Sequence, residues 1–154
     1  MRAEQGPVVD VGSGSGSPGI PLAFELPERE VTLLEAERRK CEFLEQVTAG
    51  LPNVTVVWAR AEERPRETEG VALAKALAKP PVAAELCLPL VRVGGAAILW
   101  VGETADLAHV SRVAAQLGGE LETAADGLVL LRKHRPTPEG FPRRSGMAKK
   151  RPLS

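Results

Sequence analysis

The chain has 154 residues, 44% of them hydrophobic and 26% charged, with 20 Lys+Arg against 20 Asp+Glu. That length fits one domain, and the ordinary apolar fraction excludes a wholly disordered chain. No run reaches the roughly 18–20 apolar residues of a bilayer span, and MRAEQGPVVD is no signal peptide, so a cytoplasmic domain is expected.

Hydrophobic periodicity alternates strands with helices along the chain. PVVDV (Pro7–Val11) is a short apolar run that suits a buried parallel strand. GIPLAFEL follows as a helix that halts near Pro27, and VTLLE (Val31–Glu35) is a second strand. AERRKCEFLEQVTAG carries Cys41, Leu44 and Val47 at helical spacing and is stopped by Gly50. VTVVW (Val54–Trp58) is a third strand, and GVALAKALA (Gly70–Ala78) contains a fourth. PPVAAELCLPLV is helical, Gly94 and Gly95 form a turn, and AAILWV (Ala96–Val101) is the fifth strand. DLAHVSRVAAQLGG is a helix, and ELETAA with GLVLLRK forms a final hairpin. Together these predict an α/β fold, a mostly parallel twisted sheet with helices on both faces and a C-terminal antiparallel hairpin. In such sheets ligands sit beyond the carboxyl ends of the strands.

The zero net charge conceals an asymmetry. From Arg132 onward there are eight basic residues against one acid, Glu139, while the preceding residues hold 12 basic against 19 acidic. We therefore expect a folded domain over residues 1–133 and a basic Pro/Arg-rich tail over 134–154, irregular in structure. A tail of that charge either meets a polyanion or is simply a solvated end. Aromatic residues make up only 3% of the chain, without Tyr, which argues against a base-stacking platform. Two cysteines and two histidines are too scattered for a metal site, and none is expected.

The densest signal is VVDVGSGSGSPGIPLA. Gly12, Gly14 and Gly16 alternate after a strand, and Gly19 opens a helix, an arrangement that lets backbone approach a ligand closely. Glu35 ends the second strand, where a carboxylate accepts hydrogen bonds from ribose hydroxyls. Asp10 lies two residues before the first glycine; there it would repel a pyrophosphate but suits an ammonium group. That contrast favours S-adenosylmethionine over NAD, with a ligand-free Ser/Gly turn as the remaining alternative. Ala61 and Glu62, after the third strand, stand where an adenine ring would be met. Lys75 stands near the place of the transferred methyl, or is a strand-end lysine with its stem on apolar surface.

In this order the segments resemble the RsmG (GidB) family of 16S ribosomal RNA guanine-N7 methyltransferases. The resemblance runs from about Val8 to Leu153 and is most specific in DVGSGSGSPGIPLA; VTLLE with RRKCEFL, RAEE, AKALA and PTPEGFPRRSGMAKKRPL extend it. It implies cofactor contacts at Gly12, Ser17, Ala61, Glu62 and Lys75, and the general methyltransferase pattern adds Asp10, Gly14 and Glu35. It assigns no catalytic residue. The tail would supply phosphate contacts through Arg143, Arg144, Lys149 and Lys150, with ribosomal RNA or the small ribosomal subunit as partner and a monomer as the working unit. Three positions depart from the family: Ser17 replaces a bulky apolar residue, Lys75 replaces an arginine, and Trp100 or Val101 occupies the place of a lysine. Family members carry a helical region before the first strand, which here begins within a few residues of Met1, as in a shortened member or from a misplaced start. Two alternatives follow: a shortened, non-catalytic RNA-binding member, or a methyltransferase for a small molecule.

Overall fold

The computed structural model describes residues 6–154, so the first five residues of the N-terminus discussed above lie outside it. The strands are β1 (Val8–Val11), β2 (Val31–Glu35), β3 (Val54–Trp58), β4 (Glu69–Ala74), β5 (Val91–Trp100), β6 (Gly119–Ala125) and β7 (Leu128–Lys133). They form one sheet in the order β3-β2-β1-β4-β5-β7-β6. The pairings from β3 to β5 are parallel, and β7 runs antiparallel to both β5 and β6. The helices are α1 (Gly19–Glu25), α2 (Arg38–Val47), α3 (Pro80–Cys87), α4 (Leu107–Gln116) and α5 (Met147–Lys150). No helix among the described residues is long and apolar enough to cross a membrane, and no group of three or more His, Cys, Asp or Glu is placed to hold a metal ion.

The two-residue period of a strand sends alternate side chains to opposite faces, and each face builds its own core. Val9, Val11, Ala72, Ala74, Ala97 and Leu99 pack with α3 and α4 through Ala84, Cys87, Val110 and Val113. Val8, Leu33, Val71 and Leu73 pack on the other face with Ala23 of α1 and Leu44 of α2. Burial on both faces is why these strands read as near-continuous apolar runs. Burying each of the valine and leucine side chains contributes about 1.5–3 kcal/mol.

Two expectations are corrected. Gly94 and Gly95 lie inside β5, which already pairs with β4 at Val91. Glu69 faces Val91 and Val71 faces Ala96, so the extra residues of β5 bulge out between those pairs. Gly94 holds φ +93°, and a Cβ on Gly95 would collide with the Gly70 carbonyl oxygen. The glycines therefore bend a strand from within and do not form a turn ahead of it.

The second correction concerns residues 134–154. Apart from α5 the segment has little regular structure, but it is not a solvated end. Thr137 and Ala148 are buried, and Phe141 and Leu153 pack against the core beside α3 and α4. The chain end is held by His109 Nε2, 2.7 Å from the Leu153 carbonyl oxygen, and by Gln116 Nε2, which donates to the Ser154 carbonyl oxygen at 2.9 Å.

Candidate active site

At the carboxyl ends of β1, β2, β3 and β4 the chain encloses an open cavity of about 490 Å³. That volume falls in the range of small-molecule sites. Its floor is the loop after β1. Gly12 N and Ser13 N both donate to the Leu34 carbonyl oxygen, at 2.9 and 3.0 Å, and Gly16 N donates to the Ser13 carbonyl oxygen at 2.8 Å. Gly12 adopts φ +68°, and a Cβ there would strike the side chain of Leu77. Leu77 follows Ala76, itself at φ +55°, a conformation that costs a non-glycine residue about 1–2 kcal/mol.

Glu35 organises the wall next to this floor. Its Oε1 accepts from Gly14 N at 2.9 Å and its Oε2 from Glu37 N at 2.8 Å. Both oxygens are thereby oriented by backbone donors, and a carboxylate oxygen has capacity for a second bond. Glu35 is only 7% exposed and lines the cavity. Its remaining acceptor sites suit a pair of neighbouring hydroxyls, as on a ribose.

Ala61 and Glu62 begin a short 3₁₀ turn (Ala61–Glu63) after β3, closed by a bond from Arg60 N to Glu63 Oε1 at 2.9 Å. Both line the cavity, as do Ser17 and Lys75, the residue just beyond β4. The structure thus brings Gly12, Gly14, Ser17, Glu35, Ala61, Glu62 and Lys75 around one cavity.

Asp10 is different. It is 1% exposed and lies beneath the loop, where Oδ2 accepts from Ser13 Oγ at 2.9 Å and from Gly19 N at 3.0 Å. The expectation that it faces an ammonium group gives way to a role inside the scaffold: it fixes the loop to the start of α1. Burial pushes its carboxyl up from 3.8 to about 6, against the pull of the Ser13 and Gly19 bonds. A raised folded value means that this stabilisation is complete below pH 3.8 and is lost as pH rises through about 6. Asp10→Asn keeps an acceptor without a charge to desolvate, so it should gain on the wild type by about 3 kcal/mol between pH 4 and 7. Paired thermal melts across that range test this; a stability difference that does not change with pH would refute it.

The four tail cations also separate. Lys149 lines the cavity, and Arg144 and Lys150 are exposed. Arg143 turns inward, donating to Glu85 from Nε at 2.8 Å and from Nη2 at 2.5 Å. Glu85 is 3% exposed in α3. The sequence reading missed it, although one acid in the apolar run PPVAAELC is a signal that some cation must meet it. Ser13, Ser15, Lys40, Arg60 and Leu86 also line the cavity and were not singled out. Ser13, Ser15, Lys40 and Arg60 lie within the quoted motif segments without a role read for them there, and only the fold gathers them with Leu86 around the cavity.

Comparison with known proteins places this geometry. A family model described as rRNA small subunit methyltransferase G matches residues 1–118. The chain belongs to that family. A ribosomal RNA small subunit methyltransferase G from Symbiobacterium thermophilum is 39% identical over 95% of this chain and 69% of its own length. The protein of that name from Rubrobacter xylanophilus is 42% identical over 96% of this chain and 65% of its own. Among solved structures, an O-methyltransferase (NcsB1) from neocarzinostatin biosynthesis, in complex with S-adenosylmethionine and a naphthoic acid, superposes with a TM-score of 0.71 at 20% identity. That match covers 85% of this chain and 50% of the other, and it supports the Rossmann-like class I methyltransferase fold that this rRNA small subunit methyltransferase G family member adopts.

Proposed function

We propose that this chain transfers a methyl group from S-adenosylmethionine to N7 of a guanine in 16S small-subunit ribosomal RNA, in the cytoplasm. The observation that carries the reading is Glu35: a buried carboxylate whose two oxygens are aimed by Gly14 N and Glu37 N at the cavity floor of a chain in this family. The donor set fits the cofactor. Glu35 would take the ribose hydroxyls, Gly12 and Gly14 would let the amino-acid end approach the backbone, Ala61 and Glu62 would flank the adenine, and Lys75 would stand by the transferred methyl.

When bound, the cofactor supplies an electrophilic methyl on a sulfonium leaving group. Guanine N7 carries an in-plane lone pair and no proton. Transfer to that lone pair would release no proton, so the chain would need to supply no general base. The cavity accordingly contains no histidine: His109 is held at the Leu153 carbonyl and His134 lies 3.5 Å from Glu120. The residues contribute by alignment and by excluding water, a source of rate that reaches ~7–11 kcal/mol in well-oriented reactions. Arg144, Lys149 and Lys150 would contact RNA phosphates. Incubating the chain with S-adenosylmethionine and small-subunit ribosomal RNA should give N7-methylguanine on nucleoside mass spectrometry. Saturable cofactor binding without methylated RNA, from naked transcript or from particles, would count against this reaction.

A further inference from the structure

We propose that residues 143–151 are a wall of the cofactor cavity, and that Glu62 is the joint through which an occupied cavity seats this basic segment for RNA. The inference rests on the reading above and deepens it. Of the eight Lys and Arg residues from Arg132 onward, four are already committed. Lys133 is buried, Arg132 pairs with Glu122, Arg135 donates to the Ala115 carbonyl oxygen and Arg143 is paired with Glu85. Arg144, Lys149, Lys150 and Arg151 make no ion pair among the described residues, and all four are exposed.

What places those four is a pair of acids whose side chains are nearly inaccessible. Glu85, with a side chain 4% exposed, grips Arg143 by a two-pronged bond, and Arg143 Nη2 also donates to the Arg151 carbonyl oxygen at 2.8 Å. One guanidinium thereby clamps both ends of the segment to α3. Between the ends, Glu62 Oε2 accepts from Gly146 N at 2.9 Å, and Ala148 is 2% exposed. These constraints turn Lys149 into the cavity lining, alongside Glu35, Glu62 and Lys75.

Glu62, its side chain 7% exposed, thus belongs to two structures at once: the cofactor cavity and the seat of α5. A ligand that fixes the Ala61–Glu63 turn also fixes the acceptor of Gly146. The ordering cost of the segment is then met by the first ligand, and the second binds more tightly. Linkage makes the effect reciprocal: RNA on Lys149 and Lys150 must raise cofactor affinity by the same factor. Arg143 is accordingly a positioning residue, and Lys149 is a site residue that touches substrate.

The test uses S-adenosylhomocysteine, which binds without turnover, and a small-subunit ribosomal RNA transcript. Saturating S-adenosylhomocysteine should tighten RNA binding by about fivefold or more, and should slow hydrogen exchange at Gly146 and through 147–150 even without RNA. Arg143→Ala should reduce the RNA-affinity ratio to about one. Should that variant not fold, Lys149→Ala replaces an exposed side chain and should cost more RNA affinity in the loaded chain than in the free one. A wild-type chain that binds both ligands with equal RNA affinity in each state, or a segment whose exchange ignores S-adenosylhomocysteine, would overturn the coupling. Failure to bind RNA while exchange still responds would instead overturn the RNA reading and leave only the wall, not the proposed coupling.

Discussion

Lys133→Met is expected to lower the stability of the chain by about 3–5 kcal/mol, since each buried acceptor left without its donor costs about 1–3 kcal/mol. Lys133 is 1% exposed at the end of β7. Its ammonium uses all three protons, donating to the Leu88 carbonyl oxygen at 2.7 Å, the Val91 carbonyl oxygen at 2.9 Å and Thr137 Oγ1 at 2.7 Å. Burial pulls it down to about 8, opposed by the Glu67 carboxylate 3.7 Å away, so it carries its charge at neutral pH. Glu67 Oε1 in turn accepts from Thr137 N at 2.6 Å, and that bond holds its carboxyl below the ordinary range. Methionine fills comparable space but leaves two carbonyls and a hydroxyl without a donor and removes the cation beside Glu67. Urea unfolding measures the loss. A midpoint that stays put would mean that water reaches these acceptors, contrary to their burial. Because Thr137 opens the C-terminal segment, the variant should also loosen everything that follows it.

Glu35→Ala should weaken S-adenosylmethionine binding by about 100-fold to 10,000-fold, while lowering stability far less than Lys133→Met does. Two hydrogen bonds from ribose hydroxyls to a charged acceptor are together worth about 3–6 kcal/mol, and each 1.4 kcal/mol is tenfold in affinity. The substitution also releases Gly14 N and Glu37 N, both of which border an open cavity where water can replace the carboxylate. Glu35→Gln retains one acceptor and should fall between the two. Calorimetric titration against S-adenosylmethionine decides the matter, and an alanine variant with wild-type affinity would remove Glu35 from the cofactor site. These two variants separate binding from folding: one strips the site from an intact sheet, the other weakens the sheet's connection to the tail.

Local pattern in the chain was sufficient for much of this architecture. Short apolar runs mark β1 and β2, because a strand buried on both faces has no polar side to obscure it, and the β-branched run VTVVW marks the more open edge strand β3. The glycine loop and the acid at the end of β2 were legible for a related reason, since close backbone approach and positive φ leave few residue choices. Tertiary structure alone decided the rest. Asp10 and Glu35 are both acids at strand ends, yet one is beneath the loop and the other faces the cavity; that difference depends on how α1 packs, not on spacing. Gly94 and Gly95 look like a turn until β4 is laid beside them and a bulge becomes the only way to keep register. Arg143 and Lys149 share one basic run, but Glu85 lies 58 positions from Arg143 and Glu62 lies 84 from Gly146. Charges that far apart in sequence meet only when helices and strands have packed, and so the basic run by itself did not separate the cation that anchors the segment from those left facing outward.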